Sequence, residues 1–209
     1  MQVSNYIKQC DDWRNKFLDM DIDEICSKIP ELKREEDRLT FWYFGRHLAV
    51  DLSSGIITCL SDDRPIKEWT QLNVYTLFWY CVPGAKFIGE WLPFGSLKNA
   101  SPFDAAFKNG IINPIAAAFS GHSDLLPDAV EKLRGFKISE HSFQIPAFAC
   151  IPVRVNFWDG DDEFPAQANL LFDKSATDFI HVESIVTIAS ELTHELTDAA
   201  GLSLDGHAF

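Results

Sequence analysis

The stretch Lys67–Val82, KEWTQLNVYTLFWYCV, decides the fold class. Placed on a helix, these residues present large apolar side chains on nearly every face, and a helix that is apolar all round is a buried one. Pro83 and Gly84 follow directly and are typical of a helix end. We therefore predict a central core helix, although the aromatic and β-branched content would also suit a strand.

Amphipathic helices are predicted at both ends of the chain. The N-terminal stretch repeats apolar residues at steps of three and four, with Tyr6, Cys10, Trp13, Phe17 and Met20 on one stripe. Asp21 is a capping residue for a short second helix. The last helix runs from about Glu183 to Ala200. Three more short helices are expected where a proline follows a capping residue or opens the segment, near residues 101, 114 and 127.

Two regions between these helices alternate in the period of strands. The first predicts a three-stranded meander, Leu39–Phe44, His47–Leu52 and Ile56–Leu60. The second predicts a hairpin of Ile151–Trp158 with Ala168–Phe172, and a further strand at Ser142–Ile145. The segment Gly89–Gly95 is expected to be irregular. The expected fold is α+β, with antiparallel hairpins and a meander packed against several α-helices, in a single domain spanning residues 1–209.

Composition and charge narrow the classes of partner. The chain carries 18 Lys and Arg against 31 Asp and Glu, a formal net charge of -13. Such a surface repels phosphate backbones and anionic lipids, so we expect no nucleic acid and no membrane as partner, and a protein partner remains compatible. The apolar patch Leu77–Val82 is too short to span a bilayer, and the N-terminus has no apolar signal core. We expect a soluble, acidic, cytoplasmic protein.

No motif in the sequence specifies a reaction or a cofactor. The nucleotide-binding loops and the hydrolase elbow are absent, so the sequence leaves open whether the protein is an enzyme. The five cysteines are widely spaced and match no zinc or iron–sulfur pattern. The run His194–Asp198 resembles half of a zinc-protease motif, but its face also carries Glu191 and Asp198, and we interpret it as a solvated helix face.

The acidic run Asp159–Glu163 is the best candidate for a metal site. Asp161, Asp162 and Glu163 are possible ligands of a hard cation, which prefers oxygen donors. The spacing does not match an EF-hand, and a charged hairpin tip explains the same residues. Asp173 follows the next strand and is a further candidate binding residue.

Three short motifs in this order resemble a known bacterial family. They are Trp91–Phe94 (WLPF), Asp162–Ala166 (DEFPA) and Leu171–Ala176 (LFDKSA). The family is a domain of unknown function found largely in anaerobes, and some of its members are fused to an iron–sulfur-binding segment. The resemblance covers about Phe41 to Leu196 and implies an anaerobic cytoplasm near redox or corrinoid metabolism. It carries no catalytic residue over to this chain, which lacks the cysteine cluster of the fused members.

Three hypotheses for function remain open at this stage. The first is a non-catalytic binding or accessory module whose partner docks on exposed aromatic rings, with Trp91, Phe94 and Phe164 as candidates. The second is a cation-dependent enzyme that uses the acidic loop and Asp173. The third is a structural subunit of a larger complex.

Overall fold

Two antiparallel sheets and a set of helices make up residues 5–204, the part of the chain that the computed structural model describes. The α+β prediction is confirmed, while the predicted domain, residues 1–209, extends beyond the described residues at both ends. The α-helices are α1 Asn5–Leu18, α2 Ile22–Lys28, α3 Glu68–Tyr80, α4 Asp104–Phe107, α5 Asn113–Phe119, α6 Leu126–Lys132, α7 Ala176–Phe179 and α8 Val182–Ala200. The strands are β1 Lys33–Glu35, β2 Arg38–Tyr43, β3 Arg46–Asp51, β4 Ile57–Cys59, β5 Trp91–Pro93, β6 Phe136–Ser139, β7 Ser142–Phe148, β8 Ile151–Trp158 and β9 Gln167–Asp173.

The predicted meander forms the first sheet, in the order β1-β2-β3-β4. Strands β2 and β3 pair from Arg38 opposite Asp51 to Tyr43 opposite Arg46. Phe44 and Gly45 form the turn between them, and both have positive φ, 42° and 78°. A two-residue turn of this kind matches the twist of the strands that it joins. The edge strand β1 is an addition to the prediction.

The second sheet has the order β5-β9-β8-β7-β6. The predicted hairpin is confirmed as β8 and β9, which pair up to Trp158 opposite Gln167. The prediction of an irregular segment at Gly89–Gly95 is wrong in part, because Trp91–Pro93 pairs with the end of β9 as an edge strand. Proline is compatible with an edge strand because it lacks only a donor on the backbone.

Helix α3 lies at the centre, as its sequence predicts, and the alternative of a strand is excluded. Six consecutive residues, Asn73–Phe78, are buried. Helix α1 covers one side of α3, and α8 packs against α3 and α6. The two sheets meet where Phe41 and Tyr43 of β2 contact the ring of Phe148 of β7. Among the helices of residues 5–204, none combines the length and the apolar character that a bilayer-spanning segment requires.

Candidate functional site

Two carboxylates of the acidic loop, those of Asp159 and Asp161, accept hydrogen bonds from backbone and hydroxyl groups. Asp159 accepts hydrogen bonds from the backbone N–H of Gly121, at 2.8 Å, and from the hydroxyl of Ser123, at 2.9 Å. Asp161 accepts from the backbone N–H groups of Glu163 and Phe164, both at 2.8 Å. These bonds lower the pKa of both aspartates. Within residues 5–204, no three His, Cys, Asp or Glu side chains are grouped closely enough to hold a metal ion, so Asp161, Asp162 and Glu163 form no assembled cation site.

Asp173 is buried at the end of β9 and holds the loop that precedes β5. Its carboxylate accepts the backbone N–H of Ile88 at 3.1 Å, that of Gly89 at 2.6 Å, and both the N–H and the hydroxyl of Ser175. Burial opposes its ionisation, but these hydrogen bonds outweigh burial and lower its pKa. These hydrogen bonds tie the loop to the end of β9, so we interpret Asp173 as an anchor of the loop.

The three aromatic residues predicted to share a docking patch lie in different places. Trp91 is half-buried and carries the guanidinium of Arg154 3.9 Å from its ring centre. Phe94 is only 2% exposed and stacks on Phe107, so its place in an exposed patch was predicted wrongly. Phe164 is 61% exposed, but it belongs to the loop at the opposite end of β9 from Trp91.

A buried polar cluster joins α8 to α3 and β2. The Glu191 side chain, 4% exposed, accepts hydrogen bonds from the Tyr43 hydroxyl at 2.5 Å, from the Asn73 amide at 3.2 Å and from the Thr70 hydroxyl. None of these donors is charged. Burial raises the pKa of the Glu191 carboxyl to about 7; the hydrogen bonds oppose this rise, and the carboxylate of Glu195 adds to it.

An ion-pair chain leads from this cluster to the surface. Glu195, 5% exposed, pairs with Arg64 at 3.0 Å, and Arg64 also contacts Asp62. Asp62 in turn receives two hydrogen bonds from the buried Arg46, at 3.0 and 2.8 Å. This bidentate pair lowers the pKa of Asp62 to about 2.

The prediction that this face of α8 is solvated is therefore wrong at Glu191. Of the residues assigned to that face, only Asp198 is exposed, because α3 covers Glu191 and the ring of Trp69 covers His194. Burial, followed by the charge of Lys67, lowers the pKa of His194.

A groove of about 430 Å³ opens where α1, α3 and α8 come together. Its aromatic lining residues are Tyr6, Trp13, Tyr80 and His181, and its charged ones are Asp12, Lys16 and Glu183. Gln9, Leu72, Thr76, Ser184 and Thr187 complete the lining.

The wall of the groove is continuous with the buried polar cluster. The Thr187 hydroxyl donates to the Asn73 side-chain oxygen at 2.5 Å, and Asn73 donates to Glu191. The Ser184 hydroxyl donates to that of Thr76 at 3.1 Å. In the groove, aromatic, hydroxyl and charged side chains thus converge on open space, and small-molecule sites combine apolar rings with polar groups that fix the ligand.

Comparison with known families places this geometry in context. A family model matches residues 21–195, more than half of the chain. The chain belongs to the family described as Domain of unknown function (DUF3786). A search of the curated proteins and a search of the solved structures find no match. The DUF3786 span contains the Glu191 cluster and the α3 wall of the groove, whereas α1 precedes it.

The sequence contains a weak indication of the buried polar cluster around Glu191 and little indication of the groove. Thr70 and Asn73 stand three positions apart in a helix predicted to be buried, and buried polar groups require partners. That spacing points to a polar partner across the helix interface, but it does not identify Glu191. The groove depends on how α1 is placed against α3 and α8, which helical periodicity does not specify.

Proposed function

We propose that this protein is a non-catalytic binding module and that the groove between α1, α3 and α8 is its ligand site. The observation that carries the proposal is the groove itself, in which three helices leave about 430 Å³ of open space beside rings, hydroxyls and charges. A volume of this order suits a small organic molecule. Glu191, whose pKa burial raises to about 7, does not line the groove, so that carboxyl is not available for acid–base chemistry there.

A fragment screen followed by NMR tests this proposal. We expect fragments to shift the indole signal of Trp13 and the backbone signals of Thr187 in ¹⁵N-labelled protein. Gln9→Trp places a ring in the groove and should abolish these shifts, because Gln9 is an exposed lining residue of α1. Lys8→Trp adds the same ring to the same helix outside the groove lining and should leave the shifts intact. Fragments that bind elsewhere, or that bind Gln9→Trp equally well, refute the assignment of the site.

The alternative of a cation-dependent enzyme is tested by a different measurement. A metal bound only by the folded protein would raise the melting temperature. Asp161 already accepts two backbone N–H groups, so we expect magnesium, calcium, manganese and zinc to leave the melting temperature unchanged. A rise that Asp162→Asn with Glu163→Gln removes would restore this alternative.

The setting of the binding role is also part of the proposal. The resemblance described above implies an accessory role in the cytoplasm of an anaerobe, in redox or corrinoid-linked metabolism, with a protein partner or a larger complex as the place of action. Native mass spectrometry and elemental analysis of untagged protein, purified without oxygen from its host, would reveal such a ligand or partner. Recovery of the chain alone, with no ligand or partner, would contradict this setting. It would not test whether the groove can bind a ligand.

A further inference from the structure

An ammonium group of the chain itself already occupies the aromatic corner of the groove. The Lys16 Nζ lies 4.0 Å from the centre of the Trp13 ring and 5.8 Å from that of Trp79. A cation over an indole face is attracted by the quadrupole of the ring, and indole is the best of the aromatic side chains in this respect. The corner therefore has the geometry that an organic cation requires.

Trp13 and Tyr80 line this corner of the groove, and Trp79 packs beside Trp13. Trp79 meets Trp13 edge-on, with ring centres 6.0 Å apart and planes at 74°, and Tyr80 meets Trp13 at 6.0 Å and 56°. The Lys16 ammonium lies within cation–π range of both indoles, as an alkylated ammonium group does among the rings of an aromatic cage. Tyr80 also contacts the ring of His181, which extends the aromatic wall towards α8.

The charges around the groove are consistent with a cationic occupant. Two carboxylates, Asp12 and Glu183, line it against one ammonium, that of Lys16. The chain as a whole has a formal net charge of -13 and attracts small cations over longer distances. An anionic ligand would meet one favourable charge and two unfavourable ones.

We propose that the groove binds a small organic cation with a quaternary or N-alkylated ammonium group, and that this group replaces the Lys16 ammonium on the face of Trp13. This inference rests on the proposed function, because it names the ligand class of the same groove. It concerns the part of the site that α1 contributes, which lies outside the DUF3786 span.

Three probes of nearly equal shape separate charge from size. Choline is the cation, 3,3-dimethyl-1-butanol is its neutral counterpart, and 3,3-dimethylbutyrate is the anion. Titrations followed through the Trp13 and Trp79 indole signals should give a dissociation constant for choline about fivefold lower than that for the alcohol, with the anion weaker still. Equal binding of choline and the alcohol, or preference for the anion, overturns the ligand class and leaves the groove as a binding site.

Lys16→Ala gives the sharper test. Lys16 is exposed and contributes little to the core, so the variant should fold. Removing its ammonium frees the face of Trp13 and deletes a like charge, and we expect choline to bind about threefold more tightly. Lys8→Ala removes the same charge from the same helix away from the groove and should leave affinity nearly unchanged. Weaker choline binding in Lys16→Ala than in Lys8→Ala refutes the replacement of Lys16.

Trp13→Phe and Trp13→Leu complete the series. Trp13 packs partly against the core, so the melting temperature of each variant must be measured alongside affinity. We expect Phe to retain part of the preference for choline over the alcohol and Leu to lose it. If no probe shifts either indole, the ligand class is wrong. The fragment screen with Gln9→Trp then decides separately whether the groove binds any ligand.

Discussion

Replacing Glu191 by glutamine should make the protein less sensitive to rising pH. Glu191 has its carboxyl among the uncharged donors Tyr43, Thr70 and Asn73, and its pKa rises from an ordinary 4.5 to about 7. Between these two values the folded chain holds a proton that the unfolded chain has released. Raising the pH through this interval therefore removes stability.

The size of this loss follows from the two pKa values. The stabilising contribution is complete below about pH 4.5 and is lost as the pH rises through 7. At about 1.4 kcal/mol for each unit of pKa, the wild-type protein should lose roughly 3 kcal/mol through this group. Glutamine has the same shape, stays neutral, and can still accept from Tyr43 or Asn73 while it donates to the Thr70 hydroxyl. Glu191→Gln should not show this loss.

Urea unfolding of both proteins at intervals from pH 5 to 8.5 measures the difference. We expect the unfolding free energy of Glu191→Gln, minus that of the wild type, to increase with pH and to level off above about pH 8. Glu131→Gln, an exposed carboxylate on α6, is the control and should follow the wild type. A constant difference between Glu191→Gln and the wild type at all pH values would show that Glu191 is ionised throughout, and it would refute the argument.

Two further predictions concern the anchors of the fold. Asp173→Ala should cost about 2 kcal/mol of unfolding free energy, because the hydrogen bonds of Ile88, Gly89 and Ser175 to a carboxylate are lost, and the amides of Ile88 and Gly89 should exchange hydrogen faster. Unchanged exchange would show that the loop is held by other contacts. Gly45→Ala should lower the unfolding free energy by more than about 2 kcal/mol, because the new Cβ would lie 2.6 Å from the Lys132 carbonyl oxygen. Gly84 has a similar positive φ but open space around it, so Gly84→Ala should lower the unfolding free energy by about 1 kcal/mol. Equal costs for the two glycine variants, measured by urea unfolding, would mean that the close approach at Gly45 is relieved by a small shift.

The elements that the sequence predicts well are those with a strong period. The all-apolar character of Lys67–Val82 predicts a buried helix, and the alternation around Leu48 and Val153 predicts strands, because burial on one or both faces selects these patterns. Trp91–Pro93 escaped prediction because a three-residue edge strand has no period to detect. Its pairing with β9 depends on contacts that are distant in sequence.

The site residues were harder to predict, because their roles depend on what covers them. Helical geometry placed Glu191 on a solvated face of the last helix, and that assignment assumed that only one side of α8 is covered. In the fold α3 covers a second side, so a carboxylate that looks solvated in the sequence is buried. The apolar stripe of α1 was assigned to the core in the same way, yet Trp13 contributes part of its surface to the groove.

The position of α1 also suggests how this fold varies within its family. The DUF3786 span includes α3, α8 as far as Glu195, and the hydrogen bonds that join Thr187, Asn73 and Glu191, so these fix one wall of the groove. The opposite wall comes from α1, which precedes that span. We therefore expect relatives to keep the polar cluster between α3 and α8, and to differ in ligand according to which segment covers the exposed rings of Trp79 and Tyr80. In this chain the covering segment brings Trp13, and the proposed preference for a cation rests on the face of that ring, which the Lys16 ammonium occupies in the absence of a ligand.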